Sequence, residues 1–303
     1  MAKNKVKIVE VGLRDGLQNE STNLSVMQRF ELLEKLITAG TRSFEVGAFV
    51  SPKWVPQMAA SKELTELVLK KYRDQKKYHS SVLVPNEVGM KSALETGITE
   101  IAIFASCTET FSQKNINCSI EESFERFVAI MKIAKKNKVK VRGYLSVCFG
   151  CPFEGPVPEK KVVELAKRLY KMGCYEISIG DTVGVAQVGQ VTSVFKKLKK
   201  VIPLAKLAGH FHDTRGQALA NILAAYDLGV RNFDSSIGGL GGCPYAKGAT
   251  GNVSTEDVVY MFEGMGVSTG LDLEKLIAIN RWLEPQMNHV LSSKVGKVGI
   301  LKI

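Results

Sequence analysis

The chain alternates short apolar runs with amphipathic stretches along most of its length. Eight runs rich in β-branched residues are predicted as strands, at positions 6–12, 43–49, 79–85, 100–106, 139–147, 175–181, 207–213 and 232–239. Segments predicted as helices lie between them, for example 27–40, 120–136, 159–173 and 216–229. Three of these helices end at a glycine, the residue favoured just past a helix C-terminus, namely Gly40, Gly173 and Gly229. Because strands that are apolar throughout are buried on both faces, the pattern predicts an α/β protein with a helix-covered parallel sheet.

Eight successive strand-helix units favour closure of that sheet into a (β/α)8 TIM barrel. The open, doubly wound alternative carries a G-x-G-x-x-G sequence after its first strand, and this sequence lacks it. A further helical pattern follows residue 270. We therefore predict one domain over residues 1–303, with a barrel over about 5–270 and a short C-terminal helical extension over about 271–303.

Composition and charge restrict the classes of partner. Hydrophobic residues make up 45% and charged residues 23% of the chain, as is typical of a soluble globular protein. No apolar run reaches the roughly 20 residues of a membrane helix. The net charge of +11 comes largely from basic runs at 70–77, 132–142 and 196–200, which lie in or just after predicted helices and lack interleaved stacking aromatics. We expect solvated helix faces there, a field that favours an anionic small molecule, and neither a nucleic-acid nor a membrane partner.

The six cysteines are scattered through a chain whose N-terminus passes within a few residues into the first predicted strand. This pattern predicts a cytoplasmic protein with reduced thiols. Cys148 and Cys151 have the C-x-x-C spacing of a zinc half-site or a redox pair, but no second pair accompanies them. We expect a structural or incidental role for this pair.

Polar residues follow or end several predicted strands, at the rim where TIM-barrel active sites lie. They are Arg14, Asp15 and Gln18 after the first strand, Glu45 in the second, Asp181 and Thr182 at the end of the sixth, and His210 and His212 in the seventh. Side chains at positions i and i+2 of a strand point to the same face, so the two imidazoles are expected at one spot.

Two imidazoles and a carboxylate form a ligand set for a divalent ion, and an added amide oxygen shifts the preference toward Mg²⁺ or Mn²⁺. Asp15, His210 and His212 are the candidate ligands, with Asn252 as a possible fourth. Two stacked core histidines are the alternative for an isolated H-x-H sequence. The predicted place at a barrel mouth, opposite Asp15, favours the metal site.

The segment "GGLGGCPYAKGATGN" (238–252) contains six glycines in fifteen residues, a density that permits backbone movement at a cost in ordering entropy. It lacks the G-K-[ST] ending of a Walker phosphate loop. We therefore interpret Cys243, in its middle, as a thiol on a mobile lid.

Four segments together, "GLRDGLQNE", "FEVGAFVSPKWVPQM", "HFHDTRGQALAN" and "GGLGGCPYAKGATGN", resemble the hydroxymethylglutaryl-CoA lyase family of metal-dependent TIM-barrel lyases. The likeness runs from about residue 5 to beyond 290. Isopropylmalate and homocitrate synthases share the metal site but condense acetyl-CoA with a 2-oxoacid. They, or a related metal aldolase, are the alternative reading, and the cysteine loop favours the lyase.

The resemblance implies roles for individual residues. Asp15, His210, His212 and Asn252 would bind the Mg²⁺ or Mn²⁺ ion, and Gln18, Asp181 and Thr182 are expected at the acyl-CoA site. Arg14 corresponds to the catalytic arginine, Glu45 to an essential glutamate, Cys243 to the loop thiol and Asp181 to a carboxylate tied to activity. One departure is Ser21, where the family carries lysine.

The implied reaction is the retro-Claisen cleavage of 3-hydroxy-3-methylglutaryl-CoA to acetyl-CoA and acetoacetate. Separately, apolar helix faces that are expected to be exposed predict a homodimer. Arg14 is expected to stabilise the enolate and Cys243 to act as general acid. Asp15 and His210 are both candidates for the base, and the sequence does not choose between them.

Overall fold

A computed structural model describes residues 4–72, 74, 77–242 and 251–301. Within these ranges eight parallel strands form a closed barrel in chain order. The strands are β1 (Lys7–Glu10), β2 (Ser43–Ala48), β3 (His79–Leu83), β4 (Glu100–Ser106), β5 (Lys140–Ser146), β6 (Glu176–Asp181), β7 (Leu207–Phe211) and β8 (Asn232–Ser235). The predicted (β/α)8 TIM barrel is confirmed.

Helices surround the barrel and continue past its last strand. Those in the described ranges are α1 (Val26–Thr38), α2 (Ser61–Lys71), α3 (Glu87–Glu95), α4 (Glu109–Ile116), α5 (Ile120–Lys136), α6 (Glu159–Met172), α7 (Val188–Leu198), α8 (Ala218–Asp227), α9 (Thr255–Gly264), α10 (Leu273–Met287) and α11 (Lys294–Val298). The helical extension predicted after residue 270 is therefore present as α10 and α11.

Local sequence signals fix where the helices begin and end. Ser25 and Ser119 open α1 and α5 with reciprocal side-chain and backbone hydrogen bonds to the residue three positions later. Gly40, Gly173 and Gly229 have φ of 106°, 110° and 104°, a region that glycine occupies without steric cost. The three predicted C-terminal glycines are thus confirmed.

Three strands end earlier than their apolar runs suggest. β1 is followed by a π-helical turn over Gly12–Gly16, and β8 by a 3₁₀ turn over Ile237–Gly239. β7 ends at Phe211, so His212 lies just beyond it, in an isolated bridge with Asn252. These turns at the C-terminal rim replace strand geometry where the chain forms the site.

The barrel closes through the pairing of β1 with β8, in which Val9 lies opposite Asp234 and Glu10 opposite Ser235. β7 pairs with the other edge of β8, with His210 opposite Asp234. The end of β1 and the end of β7 are therefore separated by a single strand, although they are far apart in sequence.

Two buried glutamates stabilise the turns that follow β1 and β8. The Glu10 carboxylate accepts hydrogen bonds from the amides of Gly12 and Ile237, at 2.8 and 2.9 Å. Both carboxylate oxygens of Glu256, on α9, accept the Gly238 amide, and one also accepts the Asn280 side chain of α10. Glu256 therefore joins the turn after β8 to the C-terminal extension.

No helix in the described part of the chain is both long and apolar enough to cross a membrane.

Cys148 and Cys151 are buried free thiols, beside Cys107 and Thr108 respectively. They lie among side chains of the barrel core, as their expected structural role requires.

The pH dependence of stability tests the burial of Glu256. Burial raises the pKa of this carboxyl to about 8, above its ordinary 4.5, because removal from water disfavours the charged form. Its contribution to stability is complete below pH 4.5 and is lost as the pH rises through 8. As the pH rises from 5 to 9, the unsubstituted protein should therefore lose more unfolding free energy than a Glu256→Gln variant. The expected difference is at least about 1.4 kcal/mol, the equivalent of one pKa unit.

Urea titrations of the metal-free proteins at pH 5, 7 and 9 measure this gain. Glu125→Gln, an exposed change on α5, is the matched control and should show a constant difference. A Glu256→Gln difference that is also constant would contradict the assignment.

Candidate functional site

A cavity opens at the C-terminal end of the barrel, where the sequence places its polar strand ends. Its polar lining includes Arg14, Asp15 and Gln18 from the turn after β1, and His210 and His212 from the end of β7. Its apolar side is formed by Leu83, Phe104 and Phe111. One wall therefore carries charges and hydrogen-bonding groups, and the other presents hydrocarbon.

Asp15, His210 and His212 converge in this cavity with ligand atoms that all lie within 4.8 Å of one another. Asp15 Oδ2 is 3.8 Å from His210 Nε2 and 3.7 Å from His212 Nε2. Two imidazole nitrogens and a carboxylate oxygen at these separations fit around one divalent ion. The predicted three-residue site is therefore assembled by the fold.

Asn252 completes the fourth side of this cluster. Its side-chain nitrogen donates to Asp15 Oδ2 at 2.9 Å and to the Leu240 carbonyl at 3.2 Å. The oxygen and nitrogen of an amide exchange places by a half-turn of the side chain, which would direct the oxygen at the cluster. Asn252 therefore contacts the cluster, and its role as a fourth ligand stays a prediction.

Asp234, on β8, is a functional residue that the sequence prediction missed. Its Oδ2 lies 3.2 Å from His210 Nδ1 and accepts Ser178 Oγ at 2.8 Å. A proton on Nδ1 leaves the Nε2 lone pair free to face Asp15, the arrangement commonly found behind metal-ligating histidines. The sequence signal was an acid inside a predicted strand.

Arg14 joins the metal-site carboxylate to the second strand. Its Nε donates to Glu45 Oε2 and its Nη1 to Asp15 Oδ1, both at 2.5 Å. All three side chains are largely buried, with Glu45 fully so. The remaining nitrogen, Nη2, has no hydrogen bond to a described residue, so Arg14 is both anchored and able to donate further.

The charges of the site set its protonation. Burial alone would raise the pKa of Asp15, but Arg14, His212 and His210 hold it well below its usual range. Burial likewise opposes the charged form of His210, yet the hydrogen bond to Asp234 and the Asp15 charge raise its pKa. Asp15 is therefore a carboxylate at neutral pH, the form that binds a cation.

Tyr144 and Arg142, on β5, form a second missed group at the floor of the cavity. Arg142 donates Nη1 to the Tyr144 hydroxyl at 2.6 Å, Nη2 to Asp234 at 2.8 Å and Nε to Glu176 at 2.8 Å. Burial raises the pKa of the Tyr144 phenol well above its usual value. The alternating "VRGYLS" pattern, with two polar residues on one face of a buried strand, is the signal that would have found them.

Of the three residues expected at the acyl-CoA site, two line the cavity. Gln18 and Thr182 line the cavity, and Thr182 Oγ1 also accepts the Val147 amide at 2.9 Å. Asp181 instead accepts the backbone amides of Val185 and Ala186, at 2.9 and 3.0 Å. Its carboxylate shapes the loop after β6, and a direct role at the substrate stays a prediction.

Cys243 lies outside the described residues, and its predicted function as a loop thiol stays a prediction. The flanking backbone is described. Asn19 donates its side-chain amide to the Gly242 carbonyl at 3.0 Å, and the Gly241 amide points to Glu20 at 3.4 Å. The segment before Cys243 is therefore tied to the one that carries Arg14 and Asp15.

Comparison with known proteins identifies a family. A family profile described as HMGL-like matches residues 5–283. A hydroxymethylglutaryl-CoA lyase of Pseudomonas mevalonii is 48% identical over 291 residues, which are 96% of this chain and 95% of that protein. A 3-hydroxy-3-isohexenylglutaryl-CoA/hydroxy-methylglutaryl-CoA lyase of Pseudomonas aeruginosa is 50% identical over 298 residues, 98% of each protein.

A solved structure agrees with these matches. The HMG-CoA lyase of Acinetobacter baumannii, in complex with coenzyme A and 3-methylmalate, is 35% identical and superposes with a TM-score of 0.92. The comparison covers 99% of this chain and 98% of that one. Sequence and fold agree over nearly the whole length, and the chain belongs to the HMGL-like family.

Proposed function

We propose that this protein is a hydroxymethylglutaryl-CoA lyase, which cleaves 3-hydroxy-3-methylglutaryl-CoA to acetyl-CoA and acetoacetate. The observation that carries the proposal is the convergence of Asp15, His210 and His212 beside Arg14 at the barrel mouth. Both curated relatives are lyases by name, at 48% and 50% identity. The condensing-enzyme alternative has no comparable support.

The cavity suits the two ends of such a substrate. A bound coenzyme A in the Acinetobacter relative supports an acyl-CoA ligand for this chain. The apolar wall of Leu83, Phe104 and Phe111 would contact the methyl-bearing acyl segment, and the polar wall its hydroxyl and carboxylate. Ser21, at the position where the family carries lysine, is exposed.

The donor set supports Mg²⁺ or Mn²⁺ at the cluster, held by Asp15, His210 and His212 with Asn252 as the fourth ligand. A divalent ion bound there supplies Lewis-acid polarisation of the substrate's oxygen atoms. The protein prepares the ligands through Asp234, which holds His210 in one orientation.

Arg14 carries the proposed stabilisation of the transition state. When the C2–C3 bond breaks, the electron pair passes to the thioester oxygen and gives an enolate. The Arg14 guanidinium, fixed by Glu45 and Asp15, faces the same cavity with Nη2 unused. A preorganised donor of this kind typically contributes about 10²-fold or more in rate.

Two proton transfers complete the reaction. A base takes the proton of the substrate's 3-hydroxyl, and Asp15 and His210 both remain candidates in this proposal. The enolate carbon then takes up a proton, for which we propose the Cys243 thiol as donor. The tie between Gly242 and Asn19 supports a location of this segment near the turn that bears Arg14.

The homodimer and the cytoplasmic location expected from the sequence belong to the same proposal. Large apolar side chains are exposed at the C-terminal end of the described chain, with Val298 79% and Leu301 81% accessible. Such side chains are the kind that subunit contacts cover.

The metal site is tested by titration with Mn²⁺. Metal-free protein should bind about one Mn²⁺ per chain, because one cluster among the described residues has the required ligands. Binding is monitored by the loss of the EPR signal of the free ion. The His210→Ala, His212→Ala double variant should lose this site, and chelation by EDTA should abolish cleavage activity. Undiminished Mn²⁺ binding in the double variant would place the ion elsewhere.

The role of Arg14 is tested by Arg14→Lys, which keeps a cation next to Glu45 and Asp15 but removes the multi-donor geometry. We expect turnover to fall about 10²-fold or more while Mn²⁺ still binds. Acetoacetate release at saturating substrate and metal measures the effect. Turnover close to that of the unsubstituted enzyme would refute the enolate role.

The proposed acid is tested by Cys243→Ser, which keeps the size of the side chain but not the acidity of the thiol. We expect slower acetoacetate release at an unchanged melting temperature. Cys174→Ser, at a buried thiol just before β6, is the matched control and should keep its turnover. Equal turnover in both variants would remove Cys243 from the mechanism.

A further inference from the structure

We propose that the Tyr144 hydroxyl is a second hydrogen-bond donor, beside Arg14, to the substrate's thioester oxygen, the atom on which the enolate charge collects. The inference rests on the lyase function proposed above and adds to it a catalytic residue on β5. Its basis is the hydrogen-bonding geometry of the cavity floor.

Tyr144 stands between the two parts of the site. It lines the cavity together with Arg14 and His210 and is only 6% exposed. The Arg14 guanidinium carbon lies 5.4 Å from the centre of the Tyr144 ring. The His210 ring also packs against it, edge to face, with 6.0 Å between ring centroids. A ligand that reaches the metal cluster therefore passes close to the phenol.

The hydroxyl keeps an unused proton. Arg142 Nη1 lies 2.6 Å from the phenol oxygen, and a guanidinium can only donate. The Tyr144 oxygen is therefore the acceptor in that bond, and its own O–H remains free to donate. No described residue accepts it. In a buried cavity, such a proton points to a ligand atom as its partner.

Arg142 also fixes the direction of this donor. Its other two donor positions are held by Glu176 and Asp234, each at 2.8 Å, and all three side chains are buried. The guanidinium is thus immobilised at three points, and the phenol oxygen that it contacts is held with it. A donor fixed before the substrate binds needs no reorganisation when charge develops.

We assign the thioester oxygen as the partner of the Tyr144 hydroxyl because the other oxygen atoms of the acyl group have partners elsewhere in the site. The substrate's hydroxyl and carboxylate are assigned to the side of Asp15, His210 and His212. Arg14 uses Nε and one N–H of Nη1 for Glu45 and Asp15, and its Nη2 makes no hydrogen bond to a described residue. Two unspent donors, a guanidinium nitrogen and a neutral phenol, thus face the same cavity, as a two-donor oxyanion site requires.

The variant Tyr144→Phe removes the hydroxyl and keeps the ring. We expect kcat for cleavage to fall about 10²-fold, with the Mn²⁺ dissociation constant changed less than about twofold, because one donor to the developing charge is lost. Tyr175→Phe is the matched control. That tyrosine, adjacent to the N-terminal end of β6, donates to Glu100 at 3.4 Å, so its loss should leave kcat unchanged.

A partial reaction separates catalysis from structure. The methyl protons of acetyl-CoA exchange with D₂O through the same enolate, without carbon-carbon cleavage. This exchange can be monitored by NMR. If Tyr144 serves the thioester oxygen, Tyr144→Phe should slow exchange and cleavage in the same proportion. Exchange at the unsubstituted rate would overturn the assignment.

A conservative replacement covers the case in which Tyr144→Phe does not fold. Incorporation of 3-fluorotyrosine at position 144 keeps the ring and the donor, and should restore cleavage to within a few-fold of the unsubstituted enzyme. Full turnover of Tyr144→Phe would refute the inference alone. An unsubstituted enzyme that fails to cleave 3-hydroxy-3-methylglutaryl-CoA would refute the proposed function itself.

Discussion

The pairing of β1 with β8 is the constraint on which the site depends. It places the turn that bears Asp15 one strand away from His210 and His212, and it inserts Asp234 between them. The turns that follow β1 and β8 are then locked to each other by Glu10, which accepts one amide from each. Barrel closure thus converts residues distant in sequence into a cluster with all ligand atoms within 4.8 Å of one another.

A second constraint is the arrangement of charge inside the barrel. Two buried arginines are each held by two carboxylates, Arg14 by Glu45 and Asp15 and Arg142 by Glu176 and Asp234. Buried charges of one sign without partners are costly, and breaking such a pair is strongly destabilising. Each arginine is therefore fixed in place by partners that the fold already needs. The donors left over after this pairing, on Arg14 and on the phenol beside Arg142, line the cavity, where they are available for chemistry.

The sequence was sufficient for the architecture and for the metal cluster, and insufficient for the residues behind them. Apolar periodicity locates the eight strands, and the helices named from the sequence, within a few residues. Burial on both faces leaves few polar positions in a parallel strand. Asp15, His210 and His212 could be identified from the sequence because they lie near or just after the ends of predicted strands, where side chains meet at one rim. Tyr144 and Asp234 lie inside strands, and their contacts depend on register with neighbouring strands. Asp181 is the opposite case. It ends a strand, but the sequence does not show that two backbone amides donate hydrogen bonds to its carboxylate.

The central claim is that Asp15, His210 and His212 hold one divalent cation. Pulsed EPR on the Mn²⁺-loaded protein tests it directly, because each ligating imidazole nitrogen couples to the electron spin of the ion. The account predicts couplings from two histidine nitrogens, reduced to one when either His210 or His212 is replaced. A Mn²⁺ spectrum with no nitrogen coupling, from a protein that is fully loaded and active, would contradict it.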